Sequence, residues 1–253
     1  MSSDLYPNPI LHRAPRVEMV SGLRQRRDIH LPSSYNVNTA MPLLIAYHGS
    51  GDTPANLEAT TRFSDPSVNP NMVVVYPQGV NGNWEGPTYA TPGVSDKVFT
   101  TDLVNHIQAN YCIDTTRVYA AGHSNGGGFI DTLACSPGHG NGNCTLARSP
   151  LPVLESHGGA NTTIPYTSGN GRGGPLPAIP KWLSRWATRD DCTSSTVTDL
   201  PNSVHHTVWT CKGTSGLLQH YKIDTHGHDW PVAGSEIDIS PVIISFLSGQ
   251  HYP

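Results

Sequence analysis

Charge is scarce in this chain. Of its 253 residues, 15 are Lys or Arg and 19 are Asp or Glu, 13% in all, with a net charge of −4. The longest basic stretch is Arg24-Gln25-Arg26-Arg27, too short for the electrostatic footprint of a nucleic-acid-binding surface. Long apolar runs are missing too, and none approaches the roughly 20 residues that a membrane-spanning helix needs. The opening MSSDLYPNPILHRAPRVEMV has no apolar stretch of the signal-peptide kind, so no signal peptide is expected in the chain as written. Cys112, Cys135, Cys144, Cys192 and Cys211 include no CxxC spacing, which removes the usual zinc-ribbon pattern.

What is abundant is Gly (25) and Pro (22), the mark of a loop-rich globular protein rather than a disordered one. The length suits one domain with a substantial core. Residues 1–20 are expected to be irregular and 21–253 to form that domain. Cys192 and Cys211 flank a short polar segment as disulfide partners do. Five cysteines leave one unpaired; the other reading is five reduced thiols in a cytosolic protein.

Strand-like and helix-like stretches alternate. Continuous apolar runs at 41–50 (MPLLIAYHGS), 71–79 (NMVVVYPQG), 116–124 (TRVYAAGHS), 152–158 (PVLESHG) and 218–227 (LQHYKIDTHG) suit buried parallel strands, and 23–32 suits an edge strand. Between them, 96–111 places Val98, Phe99, Leu103 and Ile107 on one face, 179–190 does the same with Trp182, Leu183 and Trp186, and 240–249 is a terminal helix. That alternation predicts an α/β fold with a mostly parallel sheet flanked by helices.

The most informative segment is VYAAGHSNGGGF, 118–129. A β-branched strand ends at Gly122, and Gly122-His123-Ser124-Asn125-Gly126 has the form G-x-S-x-G before a short apolar helix. A nucleophile on a sharp strand-to-helix turn needs tiny neighbours two residues either side, because the backbones pass closely there. Ser124 is therefore the candidate nucleophile. The backbone N–H of Asn125, and that of Ser50 in the YHGSGDT turn after an earlier strand, are the candidate donors to an oxyanion. The base must be a late His. His228 lies past the glycine in THGHDWP, while His226 sits nearer the strand. A metal on the His-x-His pair lacks a third ligand in the sequence. His205-His206 lies in strand-like VHHTVW and suits surface or cross-strand packing.

Together, GHSNGGGF, YHGSGDT, VYPQGVNGNWEGP, HGGANTTIPY, LPAIPKWLSRWA and LQHYKIDTHGHDWP closely resemble the fungal type C feruloyl esterases of carbohydrate esterase family 1, from about residue 20 to 248. The resemblance implies an α/β-hydrolase fold and a secreted, extracellular serine esterase. It also implies release of ferulate from arabinose side chains of plant xylan, with no cofactor, metal, nucleic acid or membrane partner. Ser124 and His228 would carry the chemistry, with Ser50 and Asn125 holding the oxyanion. Trp84 and Trp230 are either ring contacts for a phenolic acyl group or sugar, or core residues. An acetylxylan or other short-acyl esterase, and an inactive homologue that only binds phenolic or carbohydrate ligands, stay open beside ferulate hydrolysis.

Three departures stand out. The family's acid position, in the pattern H-G-x-x-D, holds Asn161. An amide cannot stabilise an imidazolium by charge and can select the wrong tautomer; the same exchange in a serine protease costs about 10⁴ in kcat. Asp229 and Asp224 are poor substitutes by position, and Asn161-Thr162-Thr163 is an N-glycosylation sequon. Next, the Gly- and Asn-rich 136–150 replaces an expected interior strand, with Leu146 its only large aliphatic. Closing that gap by a shift of about 4.8 Å is expected to pull Asn161 away from His228. Last, the odd cysteine and the absent signal segment suit an incomplete or decayed form of a secreted esterase.

Overall fold

The computed structural model describes residues 16–20, 23–136, 145–146 and 149–250. In chain order the larger elements are β1 (Arg16–Val20), β2 (Leu23–His30), β3 (Met41–Tyr47), α1 (Pro54–Thr61), β4 (Val73–Pro77), α2 (Asp96–Asn110), β5 (Ile113–Gly122) and α3 (Asn125–Ala134). Two-residue strands β6 (Cys135–Ser136) and β7 (Thr145–Leu146) pair with each other. They are followed by β8 (Val153–Gly158), β9 (Gly169–Gly171), β10 (Gly174–Leu176), α4 (Ile179–Arg189), β11 (Cys192–Leu200), β12 (Val204–Cys211), β13 (Thr214–Ile223) and α5 (Ile239–Ser248). Residues 16–20, expected to be irregular, pair along β2 instead.

The strands form two main sheets rather than one. The first has the order β1-β2-β4-β3-β5, and the second β11-β12-β13-β8. Pairing is mixed, not mostly parallel: β3 runs parallel to β4 and β5, and β13 to β8, while the outer strands are antiparallel. Among the described residues only the two-residue strands β6 and β7 lie between β5 and β8 in the chain, and because they pair with each other neither joins the two main sheets where an interior strand was expected. Strands β5 and β8 lose their expected burial on that account. Strand β3, paired on both sides, is buried at all seven positions, whereas β5 has one fully buried residue of ten and β8 two of six.

The core follows the apolar runs. Leu43, Ile45 and Tyr47 from one face of β3 meet Val73, Val75 and helix α2 through Phe99, Leu103 and Ile107. The opposite face, with Leu44 and Ala46, packs toward α1 and α5 through Leu57, Ile244 and Leu247. Alternate residues of a strand point to opposite faces, so a strand covered on both sides must be apolar throughout. Helix α2 starts on Ser95, whose side chain accepts from the Val98 N–H, and α1 on Thr53, which accepts from Asn56 N–H before Pro54. A third cluster joins α4 to the second sheet through Leu183, Trp186 and Leu218. Both Trp182 and Trp186 donate their indole N–H to Asp131 of α3, tying that cluster to the first block. Cys192 and Cys211 are disulfide-bonded across β11 and β12, and Cys112 is a free thiol.

Candidate active site

Strand β5 delivers Ser124 on a turn with little steric slack. Ser124 has φ 52° and ψ −114°, a strained backbone for a residue with a side chain. A Cβ on Gly122 would lie 2.6 Å from the carbonyl carbon of Gly126, and one on Gly126 would lie 2.2 Å from the Tyr47 carbonyl oxygen. Both positions accept only glycine, so the G-x-S-x-G spacing reflects backbones in contact. Beyond the turn, Asn125 is the first residue of α3, where the N–H groups have no partner within the helix. Its side chain is buried and clamps Trp84: Asn125 Oδ1 accepts from the Trp84 N–H at 2.7 Å, and Nδ2 donates to the Trp84 carbonyl at 3.2 Å.

The turn at 48–52 lies opposite. His48 is buried, donates Nδ1–H to the Gly49 carbonyl at 2.7 Å and accepts at Nε2 from the Gly79 N–H at 3.0 Å. Burial holds its pKa down, which keeps it neutral in that role. Ser50 Oγ donates to Asn83 Oδ1 at 2.6 Å and accepts from Arg172 Nη2 at 2.8 Å. A pocket of about 340 Å³ lies between this turn, His123, Ser124 and His228.

His228 Nε2 lies 2.8 Å from Ser124 Oγ, and Nδ1 lies 3.1 Å from Asn161 Nδ2. The three side chains thus meet, and the expected pull of Asn161 away from His228 does not occur. Strands β5 and β8 stay in separate sheets instead of being paired by sliding a strand. The loop after β8 is fixed to the His228 loop directly: Gly159 N–H donates to the Ile223 carbonyl at 2.7 Å and Ala160 N–H to the His226 carbonyl at 3.0 Å. A Cβ on Gly158 would stand 2.2 Å from the carbonyls of His226 and Gly227, so the two loops lie backbone on backbone. His123, the elbow's middle residue, adds a clamp by donating Nε2–H to the His228 carbonyl at 2.8 Å.

The orientation of Asn161 decides what His228 can do. Asn161 is 7% exposed, and its Oδ1 accepts from the Thr163 N–H at 3.0 Å and the Ile164 N–H at 2.9 Å. Turning the amide over would set its NH₂ against two N–H donors, so the amide N–H is what faces His228. His228 Nδ1 must then accept, which puts the ring proton on Nε2, pointing at Ser124 Oγ. A carboxylate at the same place would accept from Nδ1–H and leave Nε2 free to take a proton. The same burial encloses the sequon's acceptor nitrogen.

A charged cluster that sequence reasoning missed lies behind Asn161. Glu155 and His157 share one face of β8, and the third member, His220, comes from β13. Glu155 Oε1 lies 3.1 Å from His157 Nδ1, and Oε2 lies 2.5 Å from His220 Nδ1. His157 Nε2 faces the Ile164 carbonyl at 2.8 Å. Both ring nitrogens of His157 therefore point at acceptors, which favours the imidazolium. Burial opposes that charge, but the bond to Glu155 and its negative charge raise the pKa overall. Glu155, also opposed by burial, is held low by its two histidines. His228 is held below its ordinary value, first by burial, then by repulsion from His123 and His157. The signal available in the sequence was the i, i+2 pair Glu155 and His157; nothing local pointed to His220.

Trp84 and Trp230 are core residues, not ring contacts. Trp84 is wholly buried, stacks on Phe129 with 5.6 Å between centroids and donates Nε1–H to the His48 carbonyl at 2.9 Å. Trp230 is 8% exposed, meets Phe63 edge-on and donates to Ser240 Oγ at 2.9 Å. His226 accounts for itself with Glu236 at 2.9 Å, and His205 with Asp199 at 2.6 Å and Asp224 at 3.0 Å. Asp224 follows the end of β13 rather than lying inside the strand.

A strand, a strained serine turn and a helix, beside a late His loop, place this chain in the α/β-hydrolase fold class. The acetyl xylan esterase from Aspergillus awamori superposes with a TM-score of 0.61 over 93% of this chain and 98% of that one, at 12% identity. The chain belongs to the esterase family described as "Putative esterase", whose model matches residues 23–221. It is 26% identical over 221 residues to a bifunctional acetylxylan esterase/xylanase of Neocallimastix patriciarum, covering 80% of this chain and 31% of that protein. It is 25% identical to feruloyl esterase B of Piromyces equi, covering 73% of this chain and 39% of the relative. The chain thus spans about a third of the length of these two relatives.

Proposed function

We propose that this protein is a carboxylic ester hydrolase acting on esters carried by xylan, of the feruloyl esterase type, with turnover held down by Asn161. The observation that carries the reading is the 2.8 Å contact of His228 Nε2 with Ser124 Oγ on a strained glycine-flanked turn. Ser124 is the nucleophile and His228 the base, with the N–H groups of Ser50 and Asn125 holding the oxyanion. Attack of Ser124 Oγ on the ester carbonyl passes its proton to His228, which returns it to the departing sugar alcohol. Water then repeats the sequence on the acyl-enzyme and releases the acid. No cofactor or metal takes part.

The amide at 161 obstructs the first proton transfer, because it favours the His228 tautomer that already carries a proton on Nε2. The imidazolium also gains no carboxylate and faces the charge on His157. Acetylxylan and feruloyl esterases are both among the relatives, so acetyl transfer is the second reading for the same residues. An extracellular setting is supported by the Cys192–Cys211 disulfide. The test is hydrolysis of methyl ferulate and of acetylated xylan by the wild type, Ser124→Ala and Asn161→Asp. Slow wild-type release that Ser124→Ala abolishes and Asn161→Asp accelerates is expected. Equal rates in all three would remove the reading, and strong wild-type turnover would remove the impairment.

A further inference from the structure

The hairpin of β9 and β10 brings a cation to the rim of the pocket. Its two-residue tip, Arg172-Gly173, is docked on the 87–89 loop. The Gly173 carbonyl accepts from the Thr88 N–H at 3.3 Å, and a Cβ on Gly173 would lie 2.4 Å from Pro87 Cβ and 2.9 Å from the Tyr89 ring. Glycine is therefore required for the tip to lie where it does. Arg172 is consequently presented from a fixed position: its guanidinium stacks 4.0 Å over the Tyr89 ring while Nη2 donates to Ser50 Oγ. Ser50 is also a wall of the pocket that contains Ser124.

A guanidinium has five N–H donors in a planar fork. One is committed to Ser50, and among the described residues no carboxylate lies within ion-pairing distance of Arg172, whose side chain is exposed. The one acid lining the pocket among the described residues, Asp52, is engaged elsewhere. Its Oδ1 accepts from the Thr53 N–H at 2.8 Å and from Asn56 Nδ2 at 2.9 Å, at the start of α1. The rim thus holds an acid with partners and a stacked cation with donors to spare. With its carbon held 4.0 Å over the Tyr89 ring and one N–H on Ser50, the guanidinium keeps further donors for a planar acceptor, which carboxylates match with two parallel bonds.

We propose that Arg172 selects ester substrates bearing a carboxylate, with that group seated against the guanidinium on the Ser50 side of the pocket. The inference rests on the esterase reading of the site and names the substrate class it would prefer. The carboxylate can belong to the acyl part, as in a half-ester of a dicarboxylic acid, or to the alcohol part, as in a uronic acid acylated at one of its hydroxyls.

The test is calorimetric, on Ser124→Ala protein, so that binding is read without turnover. Two matched pairs separate the sources of the carboxylate: the methyl half-ester of succinic acid against methyl butanoate, and acetylated methyl glucuronoside against acetylated methyl glucoside. One charged member is expected to bind about tenfold tighter than its neutral partner, as a charge-assisted pair on an exposed Arg allows. Adding Arg172→Gln should bring that ratio to about one, and Arg172→Lys should keep part of it. Ratios of one in both pairs, or a preference that survives Arg172→Gln, would overturn the proposal. Hydrolysis of neutral esters by the unaltered protein tests the underlying reading separately: its absence would remove the esterase function and leave the measured ratios to judge Arg172.

Discussion

The serine turn and the acid loop are built to the same standard of backbone fit, yet they differ in chemistry. At the serine turn, Gly122 and Gly126 allow backbones to touch, and His123 ties the turn to the His228 loop. At the acid loop, Gly158 and Gly159 do the same against residues 224–227, and Asn161 reaches His228 at 3.1 Å. What the second region lacks is one negative charge. Position in this site is set by backbone contacts, while tautomer and charge are set by a single side-chain atom. The two can be lost separately. The assignment of β5 and β8 to separate sheets makes the same point, since the loops remain joined through their own hydrogen bonds.

The sharpest way to break the comparison is to make the two regions chemically equal. Asn161→Asp should raise kcat on a neutral ester by about 10⁴, the inverse of the serine-protease exchange, as measured by steady-state release of ferulate or acetate. The new carboxylate would accept from His228 Nδ1–H and face the imidazolium of His157, a charge that at present has no anion on that side.

Stability should divide between the regions next. Glu155→Gln leaves His157, whose pKa is raised by that carboxylate, buried without its counter-ion and should cost about 3 kcal/mol in urea unfolding at neutral pH. The sign with pH follows from the carboxyl: its pKa is below the ordinary value in the folded state, so its contribution is present above the unfolded carboxylate pKa. It is lost as pH falls through the folded one. The deficit of the variant should therefore shrink in acid.

On the serine side, Gly126→Ala drives a Cβ to within 2.2 Å of the Tyr47 carbonyl. It should destabilise by about 2 kcal/mol through overpacking, with activity falling further than stability because Ser124 moves with the turn. Parallel unfolding and kinetic measurements check this.

The smallest effect concerns pH. His228 serves as a base only when neutral, and burial with repulsion from His123 and His157 holds its pKa down. The acid limb of kcat/KM in the wild type should thus lie below the ordinary histidine range. Asn161→Asp, by favouring the imidazolium, should move that limb up, as read from a pH–rate profile.

Legibility in the sequence tracked distance along the chain. The serine turn was legible because its constraints fall within five residues, Gly122 to Gly126. The five apolar runs became β3, β4, β5, β8 and β13, but the division into two sheets did not show, since strand pairing is long-range. Strand β11 went unseen because CTSSTVTDL is exposed along almost its whole length and has no apolar alternation. Helix α1 was passed over for its weak apolar stripe, although Thr53 and Pro54 mark a helix start. The cluster behind Asn161 needs His220, 65 residues from Glu155 in sequence, and only β8 lying beside β13 brings them together. For Trp84 and Trp230 the sequence left ring contact and core packing open, and only the fold decides for the core.

Where one proton sits on His228 separates a hindered site from an active one. A long-range proton–nitrogen correlation spectrum of His228, recorded above its pKa in the wild type and in Asn161→Asp, measures it directly. The Nε2–H tautomer is expected in the wild type and the Nδ1–H tautomer in the variant. A wild-type His228 protonated on Nδ1 would contradict that expectation.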